Sequence, residues 1–146
     1  MSTDALVARL KAQVAALEKR VEGAAELTEL VNQNALPNRT PAAYVLPLGL
    51  RAGQADAATG LFRQAIGELV GVLLIIRSAG DVTGQRALPT MHSLVADVVN
   101  PVCGRGPDGN VAGGVFQLSR GALVSLNRGT IIYQLDFAVD DMLRIS

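Results

Sequence analysis

The sequence predicts an α+β fold: a mostly antiparallel four-stranded sheet with helices packed on one face, in the order α-α-β-β-α-β-β. Three observations predict it. Apolar residues recur at helical spacing near the N-terminus, at Leu6, Leu10, Val14, Leu17 and Val21. The run LVGVLLII at 69–76 is apolar on both faces, as a central strand covered from two sides would be. Residues 130–144 alternate apolar and polar side chains after an Asn-Arg-Gly turn, as the second arm of a hairpin does.

The first helix is expected over 4–21. Lys11, Glu18 and Lys19 lie off its stripe, and Gly23 is a plausible stop. A shorter helix follows in AAELTELVNQ, with Leu27, Leu30 and Val31 inward. NQNALPNRTP is a turn-rich link. Strand one is placed at 42–48, with Pro47 marking an edge, a strand end or a bulge. A polar loop, 49–61, leads to a long strand at 62–77. SAGDVTGQ is a turn, and the next helix runs to about residue 100 with Leu88, Met91, Val95, Val98 and Val102 on its apolar face. Pro89 suits a helix start; deeper inside it would kink the helix. After the Gly/Pro loop 100–113 comes a strand at 114–126. Phe116, Leu118, Ala122, Val124 and Leu126 are expected on one face, with Arg120 interrupting it. In the last strand Ile131, Tyr133, Leu135, Phe137 and Val139 face in, while Gln134, Asp136 and Asp140 face out.

The chain has 146 residues, which favours one domain over 1–146, large enough for a core without metal or disulfide staples. Apolar residues make up 49%, aromatic ones 3%, and Trp is absent, so the core must be aliphatic. Charge balances at 13 basic and 13 acidic residues, and it balances locally: four and five in 1–31, six and five in 32–110, three and three in 111–146. No segment carries the basic excess of a phosphate-neutralising surface, which argues against specific nucleic-acid binding. The single cysteine, Cys103, forms no intrachain disulfide, and the eight-residue apolar run is too short for a helix crossing a bilayer.

Chemistry finds little footing. CGRGPDGNVAGG lacks the phosphate-loop pattern and leads into a strand rather than a helix. The lone His92 has no ligand set and reads as a structural histidine. Asp140 and Asp141 are strand neighbours that point to opposite faces, a poor acid/base pair. No catalytic, metal or cofactor residue is assigned.

Three segments together resemble the tail terminator proteins of long-tailed bacteriophages. They are TPAAYVLPLGLRAG (40–53), GELVGVLLIIRSAGDVTGQRAL (67–88) and LVSLNRGTIIYQLDFAV (123–139), and the resemblance spans about residues 4–144. Pro89 and the irregular loop 100–113 depart from the pattern, and Tyr133 stands where a Trp would be commoner. The resemblance implies a structural virion protein of the tail neck, assembled in the host cytoplasm. It implies a six-membered ring on the head-proximal end of the tail tube, which stops tube growth and docks the head connector. The implied partners are other copies of the chain, the tube protein and the connector or stopper protein. DNA would pass through the lumen, and neither a cofactor nor a membrane is implied. On this reading the edge residues Tyr44, Leu46 and Leu48 meet a neighbour in the ring, and Arg51, Gln54 and Asp56 touch an adjoining ring. Arg63 and Arg77 share one face of their strand by period-two counting. At least one is expected to pair across the subunit boundary with Asp136 or Asp140, and Arg120 is a further contact. Two alternatives stand beside this: another neck or tail-completion protein, and a small ligand-binding or enzymatic α+β domain.

Overall fold

The computed structural model describes residues 2–56, 60–78, 80, 85–107 and 114–145, with backbone alone for 141–145. Expectations for the turn at 79–84 and the loop at 108–113 fall largely or wholly outside these residues. Helix α1 spans Thr3–Gln13, strand β1 Val21–Gly23 and helix α2 Ala24–Asn32. Strands β2 (Ala42–Asp56) and β3 (Phe62–Arg77) follow, then helix α3 (Ala87–Val102) and strands β4 (Phe116–Asn127) and β5 (Thr130–Ile145). The class is α+β. The sheet has five strands rather than four, in the order β1-β2-β3-β5-β4, and it is mixed because β1 runs parallel to β2.

The extra strand comes out of the expected first helix. α1 stops at Gln13, Ala15–Leu17 makes a 3₁₀ turn, and Glu18 and Lys19 take positive φ. Arg20 then fastens the chain to β2. Its Nε donates to the Pro41 carbonyl at 2.8 Å, and its own carbonyl accepts from the Ala43 N–H at 2.9 Å. All five stripe residues, Leu6 through Val21, are buried, so their apolar spacing reports burial correctly while the backbone changes from helix to strand beneath it.

The centre of the sheet is the long antiparallel pair β3–β5, whose register runs unbroken from Phe62↔Ile145 to Arg77↔Thr130. The β4–β5 hairpin turns at Arg128 and Gly129, both with positive φ, which is the geometry a two-residue turn needs to match strand twist. α1 and α3 pack on one face. Leu6 and Leu10 from α1 and Met91, Leu94 and Val98 from α3 meet Val70, Val72, Leu74, Leu135 and Phe137 of the sheet. Each such side chain contributes about 1.5–3 kcal/mol relative to exposure. Pro89 lies in the first turn of α3, where its missing N–H costs nothing, and Pro101 lies in the last turn. Phe116 stands edge-on to Phe137, with centroids 6.5 Å apart, and holds the start of β4 to the core.

Two further expectations change. Helices cover both faces: α2 lies on the side opposite α1 and α3, where Leu27 and Leu30 pack over Ala42, Tyr44 and Ile75. Val31 points outward, 67% exposed. The polar loop expected at 49–61 is strand as far as Asp56, with irregularities at Leu48 and at Gly53–Gln54. Its tip, 57–59, lies outside the described residues.

Candidate functional site: an open sheet face between two free edges

Residues directly opposite in a ladder share a face. The register therefore assigns faces along each strand. Val70, Val72, Leu135 and Phe137 look toward α1 and α3; Gly71, Leu73, Gln134 and Asp136 look the other way. Among the described residues this second face is covered by α2 near Tyr44, Ile75 and Ile132 and is otherwise open.

The register brings every expected contact residue except Gln54 to this second face. Tyr44 and Leu46 stand opposite Leu73 and Gly71. Leu48 folds over Gly71, where a Cβ would lie 3.1 Å from its Cδ1; the glycine makes room for that side chain. Arg51 pairs with Gly67, itself opposite Asp140, and Asp56 pairs with Arg63. Arg120 stands opposite Asp136. Gln54 lies within the irregularity between Ala52 and Ala55.

Within that face the residues differ in availability. The Tyr44 ring is 4% exposed beneath α2, whereas Arg51, Asp56, Arg63, Arg120 and Asp140 are exposed. Arg77 shares the face of Arg63 but is engaged inside the subunit. Its guanidinium donates to the Pro37 carbonyl at 3.0 Å and its backbone N–H to the Thr40 hydroxyl at 3.1 Å. Asp136 accepts from Gln134 Nε2 at 2.7 Å, and no ion pair joins it to Arg120. The open part of the face thus carries Arg51, Arg63 and Arg120 with Asp56, Asp136 and Asp140, and the register adds Arg144 opposite Arg63, around small residues such as Gly67, Gly71 and Ala138.

The sheet ends in two free edges. β1 covers β2 only from Ala43 to Val45, so the exposed edge begins at Leu46 rather than at Tyr44 and runs to Asp56. Pro47 lies on this uncovered stretch beside the irregularity, where a missing N–H does least harm. The other edge, among the described residues, is β4 beyond Phe116, whose N–H donates to the Arg105 carbonyl and whose carbonyl accepts from the Gly104 N–H, both at 2.9 Å. Register shifts after Leu118 and after Leu123 flip its alternation. Leu118, Leu123 and Leu126 therefore share the helix-side face, and Ala122 moves to the open face with Arg120. The expected stripe of Phe116, Leu118, Ala122, Val124 and Leu126 does not form. β4 also lies beyond the reach of α3 for most of its length: Leu118, Leu123, Val124 and Leu126 are 44, 50, 55 and 39% exposed. On the β2 edge Leu48 and Leu50 are 42 and 63% exposed. Leu50, Leu123 and Val124 are the residues that strand alternation alone could not single out, since bulges carry no signature in a simple apolar count.

Among the described residues no three His, Cys, Asp or Glu side chains gather as a metal would need, and no helix is long and apolar enough to cross a membrane. His92 is exposed on α3.

The two opposite edges of the sheet thus expose apolar side chains, Leu48 and Leu50 on one and Leu118, Leu123, Val124 and Leu126 on the other. A model of the phage tail terminator protein family matches residues 1–146, and the chain belongs to that family, whose members are structural proteins of the phage tail. No curated protein matches the chain.

Proposed function

We propose that the protein terminates the tail tube by closing into a ring of six copies on its head-proximal end, where it halts polymerisation and offers a docking face to the head connector. The observation that carries this reading is the pair of unlike free edges at opposite sides of one sheet. An exposed edge with apolar side chains is a template for pairing with another chain. Two different edges on opposite sides make a head-to-tail contact, which closes into a ring when the rotation allows. The uncovered stretches of β2, 46–56, and of β4, 117–127, are equal in length, so each can serve as the other's partner in a neighbouring copy.

In such a ring α1 and α3 lie outside and the open face lines the channel. Its cations are interspersed with Asp56, Asp136 and Asp140 rather than gathered into a phosphate-binding patch, in keeping with passage of a genome. Arg63 is the cation available for a contact with a neighbour's Asp136 or Asp140, since Arg77 is engaged with Pro37. Arg51, Gln54 and Asp56, near the end of the β2–β3 hairpin, face the tube or the connector.

The test is assembly of tube protein in the presence of this chain. Wild type should yield tails of uniform length that join heads. The pair Leu123→Glu with Val124→Glu, on an exposed edge, should fold normally and yield overlong tails. Uniform tails from that variant would overturn the edge-to-edge ring.

A further inference from the structure

Each free edge is closed at one end. β1 occupies the place beside Ala43, Tyr44 and Val45, and the Gly104–Arg105 backbone occupies the place beside Phe116. Among the described residues 46–56 of β2 and 117–127 of β4 stay open. These stretches lie at different heights in one copy, because the ladder runs level from Leu46 through Gly71 and Asp136 to Arg120. A neighbour joined at equal height would bring its Gly121 to Val45, where β1 already lies, and its Phe116 to Leu50, where Gly104 and Arg105 already lie.

The sheet also fixes the direction of a junction. β2, β3, β5 and β4 alternate in direction, so β2 and β4 run oppositely. A rotation that carries one copy to the next preserves strand direction and makes the new pair antiparallel.

The two edges match in finer detail. β2 has irregularities at Leu48 and at Gly53–Gln54, and β4 has them at Ser119 and Val124. With Leu46 opposite Asn127 and Asp56 opposite Gln117, Gln54 meets Ser119 and Leu48 stands diagonal to Val124. Faces then agree along the junction. Pro47, Leu50, Ala52 and Ala55 lie on the helix side, and so do their opposites Leu126, Leu123, Gly121 and Leu118. The same residues turn their backbone polar groups outward. Phe116 does so toward Gly104 and Arg105, Ala43 does so toward Arg20, and the unbroken β3–β5 pair carries that phase along both edges. Leu50 and Leu123, both largely exposed in one copy, become direct opposites. A slip of one residue would put every opposing pair on unlike faces.

We propose that neighbouring copies join in this register, each displaced along the strands by about six residues, with β1 and Gly104–Arg105 as the end stops. This alignment rests on the edge-to-edge ring proposed above. Such a step is about 20 Å along the strands for about 19 Å across four of them. The strands therefore lean about 45° from the ring axis, close to the tilt at which closed barrels settle.

The experiment is oxidative cross-linking of assembled tails carrying cysteine pairs in a Cys103→Ala background. Arg51→Cys with Ala122→Cys reads the staggered register, in which the two are opposite and about 4.5 Å apart between Cα atoms, within disulfide reach. Leu46→Cys with Arg120→Cys reads the equal-height register. Neither pair can close within one copy, where two strands and about 14 Å or more intervene. Most of the first variant should shift into covalent multimers on a non-reducing gel, and the second should stay monomeric. Multimers from the second pair alone would overturn the stagger while leaving the edge-to-edge ring standing. No multimers from either pair, on tails of normal length, would overturn both.

Discussion

Gly114 shows how one atom can fix an architecture. It has φ +109°, and a Cβ there would overlap the Asp140 backbone carbonyl, which cannot retreat without breaking the β5 ladder. Gly114→Ala should therefore destabilise the fold by about 2 kcal/mol or more, as strained positive-φ sites with a backbone clash do. Chemical denaturation measures it. Tyr44 gives a pH-dependent counterpart. Its phenol pKa is raised above the ordinary 10.0, chiefly by burial and then by Glu22 and Glu26. The folded state thus holds the proton longer than the unfolded chain. Below about pH 10 both states keep it and nothing is gained or lost; above that value the unfolded state releases it first and stability falls. Denaturation between pH 8 and 11 should show wild type losing stability relative to Tyr44→Phe only at the alkaline end. A constant difference across that range would contradict the assignment.

At the scale of elements, the two helical layers differ in weight. α3 places Met91, Leu94 and Val98 in the main core, whereas α2 has no fully buried residue and covers a small satellite cluster through Leu27 and Leu30. Leu94→Ala should cost about 2–5 kcal/mol, and Leu30→Ala about 1 kcal/mol, in equilibrium unfolding. Similar losses from both would mean that α2 belongs to the main core.

The same contrast explains what was legible in the sequence. β3 and β5 follow regular periods over long runs and stand where the pattern placed them; the inward face of α3 keeps Met91, Val98 and Val102 but is turned toward Ala87 and Leu94, leaving Leu88 and Val95 only partly buried at its side. β1 was hidden because Val21 continues the helical stripe of Leu6 to Leu17: burial on one side of a sheet and on one side of a helix leave the same mark at that spacing. The outer half of β2 reads as a loop because RAGQAD lacks the apolar alternation of a half-buried strand. It forms a ladder with β3 while both of its faces are largely exposed. The bulges in β4 reverse which residues face the helices, so Leu123 takes the side expected for Ala122. Arg63 and Arg77 share a face, as period-two counting expects, and so do Asp136 and Asp140, because β3 and β5 pair without a register shift.

For the whole molecule, the central claim is that one copy's β4 joins the next copy's β2. Leu123→Lys changes a side chain that is half exposed, so the isolated protein should keep its stability to within about 0.5 kcal/mol. The same change should abolish higher-order species in sedimentation, because it places a charge in every subunit junction. Hydrogen exchange compared between the free protein and the protein on assembled tails tests the claim most directly. The account predicts that amides within 46–56 and 117–127 gain protection together on assembly, as two unpaired edges become one ladder. Unchanged exchange at both stretches, with protection appearing only on α1 and α3, would contradict it.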